Sequence, residues 1–278
     1  MRFTIVGSGG CCALPRPGCF CRICEEAREK GAPYARFGPA LYCHETQTLA
    51  DTPEDITPAL NFSRIPDVKR VFYTHPDPDH TMGMRVFEQL RLDWEKANRG
   101  VKPENPIGVH ALPGCMGIMK NAGAGYGSAL GYYEHMGLIS LRDETDITEN
   151  GVRMSLIGVP GNEKVAVILF EQGNKKLVYA PCDCSPFPQD ERLRNADVLV
   201  LGQTIHGCKW PMEKPMAHYA GAFGLYTREE SVAIARKMGA KQLVFTHLEE
   251  DWGLSFADYR AMEDGFVRFA FDGMQIRI

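Results

Sequence analysis

Residues 73–80 read YTHPDPDH, which puts His75, Asp77, Asp79 and His80 within six positions. Two imidazoles and two carboxylates held that close together suit a hard or borderline divalent cation. Loops between strands and helices use Asp and His as caps and turn formers, but capping alone does not call for four such groups in six residues. A second group lies upstream. Cys19, Cys21 and Cys24 form C-x-C-x-x-C, a spacing from which three thiolates can reach one tetrahedral Zn²⁺. Small buried thiols are the plainer explanation for such a loop; a structural zinc is the expectation carried forward.

The elements around these groups can be read from pattern. Before His75 runs VKRVFYT, rich in β-branched and aromatic residues, a buried strand. After His80 runs TMGMRVFEQLRLDW, where Met84, Phe87, Leu90 and Trp94 recur at helical spacing, so a helix is expected over 81–94. Pro76 and Pro78 fix φ at alternate positions and stiffen the loop between. Phe3 to Val6 forms a short strand ended by the tight turn GSGG near the site. The cysteines precede a polar helix from about 25 to 30. Residues 41–57 give a strand reaching Asp51 and a turn at Pro53; Asp51 reads as a partner of ligands rather than a ligand, and His44 as structural. Residues 152–180 hold three β-rich runs, with a Gly-Asn turn before Lys175.

Further along, ADVLVLGQTIHG is a buried strand, and a Pro- and Gly-containing loop follows it. TREESVAIARKM opens with a capping box, Thr227 to Glu230, and Gly239 stops the helix. KQLVFT is a strand that delivers His247. FVRFAFDGMQIRI reads as a closing hairpin turned at Asp272-Gly273. Residues 95–150 lose clear periodicity and are glycine-rich, which suggests a lid-like insertion with Tyr126, Tyr132, Tyr133 and His135 available to touch a substrate.

Composition narrows the function classes. The 278 residues are 44% hydrophobic and 24% charged with a net charge of −4, which fits a single domain spanning 1–278. No basic run offers the positive footprint of a nucleic-acid binder, and no apolar run is long enough to span a bilayer. MRFTIVGSGG lacks the apolar core of a signal peptide. A cytoplasmic protein is expected, in which ten Cys serve as reduced thiols or metal ligands.

The 75–80 stretch resembles the H-x-H-x-D-H signature of the metallo-β-lactamase-fold hydrolases, with Asp77 standing where that family has its second His. The cysteine stretch resembles the zinc insert, near 11–30 here, of the PhnP-like phosphoribosyl cyclic phosphodiesterases. The resemblance implies an α+β fold, a four-layer αββα sandwich with ligands at one edge. It further implies a bridging role for Asp183, which follows the strand KLVYA, and a final ligand at His247. Where relatives carry another His after the first run of the second sheet, this chain has VPGNEK, with Asn162 the nearest equivalent. The distal His that completes the relatives' zinc insert is replaced by Glu250, leaving Glu250, Cys11, Cys12 and Cys43 as candidates for the fourth ligand.

On this basis Asp79, His80, Asp183 and His247 should hold a stronger metal position, and His75, Asp77 and Asn162 a weaker one. Carboxylate in place of imidazole tilts the weaker position toward Mn²⁺ or Fe over Zn²⁺. Cys182 and Cys184, on either side of Asp183, read as packing residues, with a soft ligand or a redox-sensitive neighbour the alternative for either. The relatives imply a metal-dependent hydrolase of a small or cyclic phosphodiester, with His206 or His218 protonating the leaving oxygen. The altered ligand set also admits an iron-dependent redox protein of the same fold, or a member that binds a ligand without turning it over. A homo-oligomer is compatible with all three.

Overall fold

The computed structural model describes residues 1–124, 127–202 and 226–278. The described residues form two seven-stranded sheets and one two-stranded ribbon. Across the first sheet the strands run Gln275–Arg277, Arg2–Gly7, Ala40–Cys43, Thr48–Ala50, Arg70–Phe72, Ile107–His110 and Ile139–Arg142. Across the second they run Val267–Phe269, Leu243–Thr246, Val198–Gly202, Lys175–Ala180, Asn162–Gln172, Val152–Val159 and Asp146–Glu149.

Strand alternation builds the layers. Phe3, Ile5 and Phe72 of the first sheet meet Phe170, Leu177, Tyr179, Val198 and Val200 of the second in one buried layer between the sheets. Their neighbours Val6, Val71 and Tyr73 turn outward to pack with Ile56, Ala59 and Phe87. On the far side Val178, Leu199 and Leu201 pack with Ala235, Met238 and Tyr259. Each fully buried side chain of this size contributes about 1.5–3 kcal/mol, so three apolar layers fix helix, sheet, sheet and helix in that order. The expected αββα sandwich is the observed architecture.

Each sheet is antiparallel on one side and parallel on the other. Thr48–Ala50, Arg70–Phe72, Ile107–His110 and Ile139–Arg142 pair parallel in the first, and Lys175–Ala180, Val198–Gly202, Leu243–Thr246 and Val267–Phe269 in the second. Ligand sites in such sheets lie beyond the carboxyl ends of parallel strands, and the loops carrying His75, Asp183 and His247 leave from those ends. Backbone bonds stitch the sheets together there: the Ala166 N–H donates to Thr74 O at 2.8 Å and the Leu248 N–H to Ser8 O at 2.9 Å.

Three expectations are corrected. The 81–94 helix is broken into Pro78–Thr81, Val86–Arg91 and Trp94–Asn98. Gly83 sits so tightly on Pro53 that a Cβ there would lie 1.9 Å from its carbonyl oxygen, Leu92 is extended, and Asp93 caps a new helix through the Glu95 and Lys96 N–H groups; Trp94 is exposed. Residues 95–150 are not without regular structure: they give Ile107–His110 and Ile139–Arg142 to the first sheet and Asp146–Glu149 to the second, with the helices Pro113–Asn121 and Ala129–His135 between them, and Ile107, Val109 and Ile139 complete the outer apolar layer. The closing hairpin is absent: Val267–Phe269 pairs within the second sheet and Gln275–Arg277 within the first. The Asp272 carboxylate explains the crossover, since it accepts from the Ser8 N–H and Oγ and from the Phe37 N–H at 2.7–2.9 Å.

Candidate metal centre

His75 is held just past the strand Arg70–Phe72, and Pro78 opens the short helix Pro78–Thr81 that carries Asp79 and His80. Asp51 follows Thr48–Ala50, the parallel neighbour of Arg70–Phe72, in a left-handed conformation with φ 63°. Its carboxylate is buried and organises both histidines. Oδ1 accepts from the Thr74 N–H, and Oδ2 accepts from the Thr74 hydroxyl and from His80 Nδ1, each at 2.8 Å. The Thr74 hydroxyl, having given its proton to Asp51, accepts from His75 Nδ1 at 3.0 Å. With Nδ1 of both rings engaged in these hydrogen bonds, Nε2 is the nitrogen left to bind a metal, as metal-ligating imidazoles require. His75 Nε2 and His80 Nε2 are both buried without a hydrogen-bond partner, with ring centroids 4.0 Å apart.

His247 arrives at the end of Leu243–Thr246 with φ 60°. Its Nε2 lies 3.3 Å from Asp79 Oδ2, and its Nδ1 lies 3.4 Å from Glu249 Oε1. The turn GSGG packs against it as expected: a Cβ on Gly10 would lie 2.2 Å from Glu249 Oε1 and 2.6 Å from His247 Nδ1. Ligand atoms converge in overlapping sets, each within 4.8 Å of one another: Asp79, His80 and His247; His75, Asp77 and Asp183; and His75, His80 and Cys182.

The electrostatics ask for a cation. Burial holds His75 neutral, well below the usual imidazole range, and the neighbouring His80 adds to this. Burial also opposes charge on His80 and His247. The Asp51 and Asp79 carboxylates outweigh it at His80, and Cys182, Asp79 and Glu249 outweigh it at His247, so both rise well above the usual range. Burial works against the Asp79 carboxylate too, but His247 and His80 hold it far below ordinary values. Asp183 is raised to about 6 by burial and by Asp77, and Asp77 is raised by burial and by Asp79. In other words, protons on two imidazoles offset several crowded carboxylates, a balance that a divalent ion would supply instead.

The structure brings His75, Asp77, Asp79, His80, Asp183 and His247 together, with Asp183, expected to bridge, grouped with His75 and Asp77. Asn162 Oδ1 accepts from the Lys164 N–H at 3.2 Å and so closes its own turn. His206, His218 and Tyr126 lie outside the described residues. Sequence reasoning missed Cys182, Thr74 and Glu249. Glu249 could have been found from its spacing two residues after His247. Cys182 was visible beside Asp183 and was set aside as packing.

The cysteine group is a separate site. Cys19, Cys21 and Cys24 also lie within 4.8 Å of one another, with Cys21 at the N-cap of Arg22–Lys30. Burial opposes a thiolate at Cys21, but the Cys24 and Ile23 N–H groups at the helix start and the Cys19 and Cys24 thiols outweigh it and lower it. The Arg16 N–H points at Cys24 Sγ at 3.4 Å. Glu250, Cys11, Cys12 and Cys43 fall outside this group. Cys43 is far from candidacy, since it packs in the layer between the sheets.

The sequence matches the profile of the Beta-lactamase superfamily domain over residues 46–248. The chain belongs to that superfamily. Solved structures agree on the superfamily fold. A diphosphatase of the PhnP family superposes with a TM-score of 0.71 at 21% identity, covering 100% of this chain and 97% of that one. Zinc-bound PqqB from Methylobacterium extorquens gives 0.70 at 18%, covering 100% of both chains. Human tRNase Z, short form, gives 0.65 at 18%, covering 100% and 99%. No curated protein sequence matches. Among the described residues no helix is long and apolar enough to cross a membrane.

Proposed function

We propose that this protein hydrolyses a small phosphodiester or diphosphate at the His75–His247 centre, and that the Cys19–Cys24 group holds a structural zinc. The observation that carries the reading is the pair of buried Nε2 atoms on His75 and His80 that make no hydrogen bond, the second of them 3.3 Å from Asp79 Oδ2, set among Asp79, His247, Asp77 and Asp183. A buried polar atom left without a partner is costly, and two lone pairs converging with three carboxylates are what a divalent ion satisfies. An ion held there makes a nearby water more acidic and draws charge from a substrate oxygen. Asp51 and Thr74 fix the rings of His75 and His80, and Glu249 lies against His247 Nδ1 at 3.4 Å. His206 or His218 would protonate the leaving oxygen. The PhnP-family diphosphatase supports the phosphoryl class, and a net charge of −4 with no basic run speaks for a small substrate over a tRNA-sized polyanion.

The test is elemental analysis of protein purified without added metal, followed by assays on an aryl phosphodiester, a cyclic ribose phosphate and a dinucleotide diphosphate. Turnover that a chelator abolishes and a divalent ion restores is the expected result. A filled centre with no turnover on any of the three would overturn it in favour of a binding protein. A second reading rests on Asp79, His80 and His247, two histidines and one carboxylate, a set that also suits Fe(II). Iron in the isolated protein, with a visible band that bleaches on reduction, would favour it.

A further inference from the structure

We propose that Cys182 is a ligand of the metal centre, standing between the two sets of ligands, and that its thiolate makes the centre select Zn²⁺ over Mn²⁺. This rests on the metal reading of the site but not on the reaction assigned to it. Cys182 lies just beyond Lys175–Ala180, at the carboxyl end of a parallel strand. Its Sγ is within 4.8 Å of ligand nitrogens of both His75 and His80, and joins with them the set of His75, Asp77 and Asp183 to that of Asp79, His80 and His247. His80 Nδ1 is committed to Asp51, so an ion that His80 binds is bound through Nε2, which is buried, makes no hydrogen bond and lies 3.3 Å from Asp79 Oδ2. An ion on that lone pair lies within reach of the Cys182 sulfur.

The backbone holds the thiol in place. The adjacent strand packs against the Pro181–Cys182 peptide so closely that a Cβ on Gly202 would lie 1.9 Å from Pro181 O. Asp183 then takes a left-handed conformation, φ 50°, and the chain swings away. Cys184 consequently ends in the outer apolar layer with Val178 and Leu201, while Cys182 stays at the site. Two cysteines two residues apart thus have different surroundings, and only one faces ligands.

The chemistry follows from softness. A thiol gives up its proton to solvent on coordination, and thiolate favours Zn²⁺ or Cu(I), whereas carboxylate and water suit Mn²⁺. The carboxylate at Asp77 pulls the other way, so the thiolate decides the preference at the position that includes His80.

The test uses the full chain, stripped by chelator and reloaded. With Co²⁺, wild type should show a thiolate-to-metal charge-transfer band in the near ultraviolet. Cys182→Ser should lose part of that band and about tenfold or more in zinc affinity at one site, while Cys184→Ser keeps both. Cys182→Asp, which retains an oxygen ligand, should hold metal without that part of the band and shift preference toward Mn²⁺. In wild type, zinc should slow iodoacetamide labelling of Cys182, read by peptide mass. Cys182→Ser with an unchanged band and unchanged zinc affinity overturns the proposal. His80→Ala separates the two levels: if it loses metal while Cys182→Ser does not, only the thiolate assignment fails, and if it keeps all its metal, the metal reading fails with it.

Discussion

Around His80 the ligand side chains hang from the ends of strands in two seven-stranded sheets. Around Cys24 they come from the first turn of one nine-residue helix, its N-cap Cys21 and the loop just before it, with a small apolar cluster of Leu14, Ile23, Cys24 and Ala27. The first group has its tautomers set before any ion arrives, through Asp51, Thr74 and Glu249. The second has little besides the helix start and the Arg16 N–H, with Arg22 tied to Asp258 at 2.7 Å and to Gly253 O at 3.1 Å on the main body. Where the scaffold is rigid, metal adds chemistry to a shape that already exists; where it is slight, metal supplies the shape.

The comparison can be broken at either end. His80→Ala should cost more than about 100-fold in turnover, beyond the 10–100-fold typical of outer partners. It should empty at least one metal position, and thermal unfolding should move little because the sheets stand without it. A large drop in melting temperature would mean that the first group is structural too. Next in size, Asp51→Asn should weaken metal binding about 10–100-fold, since His80 loses a charged partner and Thr74 its anchor. Competition with a chromogenic chelator measures this, and zinc content at the cysteine group should not change.

Cys21→Ser should reverse the pattern. The expected loss is about 1–3 kcal/mol of stability, a fall of roughly 2–8 °C in melting temperature, with one zinc fewer and unchanged turnover per folded molecule. Unaltered zinc content would show the thiols to be packed rather than ligating. The smallest effect should come from a position that serves neither group. Asp197 precedes Val198–Gly202, at the strand end away from the site, and its carboxylate takes Lys241 Nζ at 2.8 Å, the Lys176 N–H at 2.9 Å and Lys175 Nζ at 3.2 Å. Burial opposes its ionisation, but these partners hold it at about 2. An unfolded Asp titrates near 3.9, so the unfolded chain binds the extra proton in between. The stabilisation is therefore complete above about pH 4 and is lost as pH falls toward 2. Asp197→Asn should flatten that limb by under about 1 kcal/mol in denaturant melts at pH 7 and pH 3, with both metal contents intact.

What the sequence disclosed follows a physical line. His75, Asp79, His80 and His247 were legible because each lies next to a β-rich run, so local pattern already put them at strand ends. Asp51 was legible as a partner for the same reason. Cys182 and Cys184 read alike because alternation along a strand puts both on one side, and the left-handed turn at Asp183 that parts them leaves no mark in that pattern. The ends of 81–94 were misjudged where helical spacing met a tertiary demand, Gly83 pressed onto Pro53. Asp272-Gly273 carried a hairpin signal that the buried Ser8 and Phe37 N–H groups overrode.

The crossing of the chain at Asp272 has a consequence in time. Asp79 and His247 are 168 residues apart, and Ser8 and Asp272 are 264 apart. A nascent chain that has passed His80 already displays His75, Asp77 and Asp79, yet it lacks Cys182, His247 and the carboxylate that clamps the turn beside Gly10. Contacts this distant form late in folding, so a half-synthesised chain offers only a weak, open ligand cluster. An ion bound at the full centre would therefore be taken up after the protein has folded, and loading a refolded apo-chain should give the same metal as loading it during synthesis.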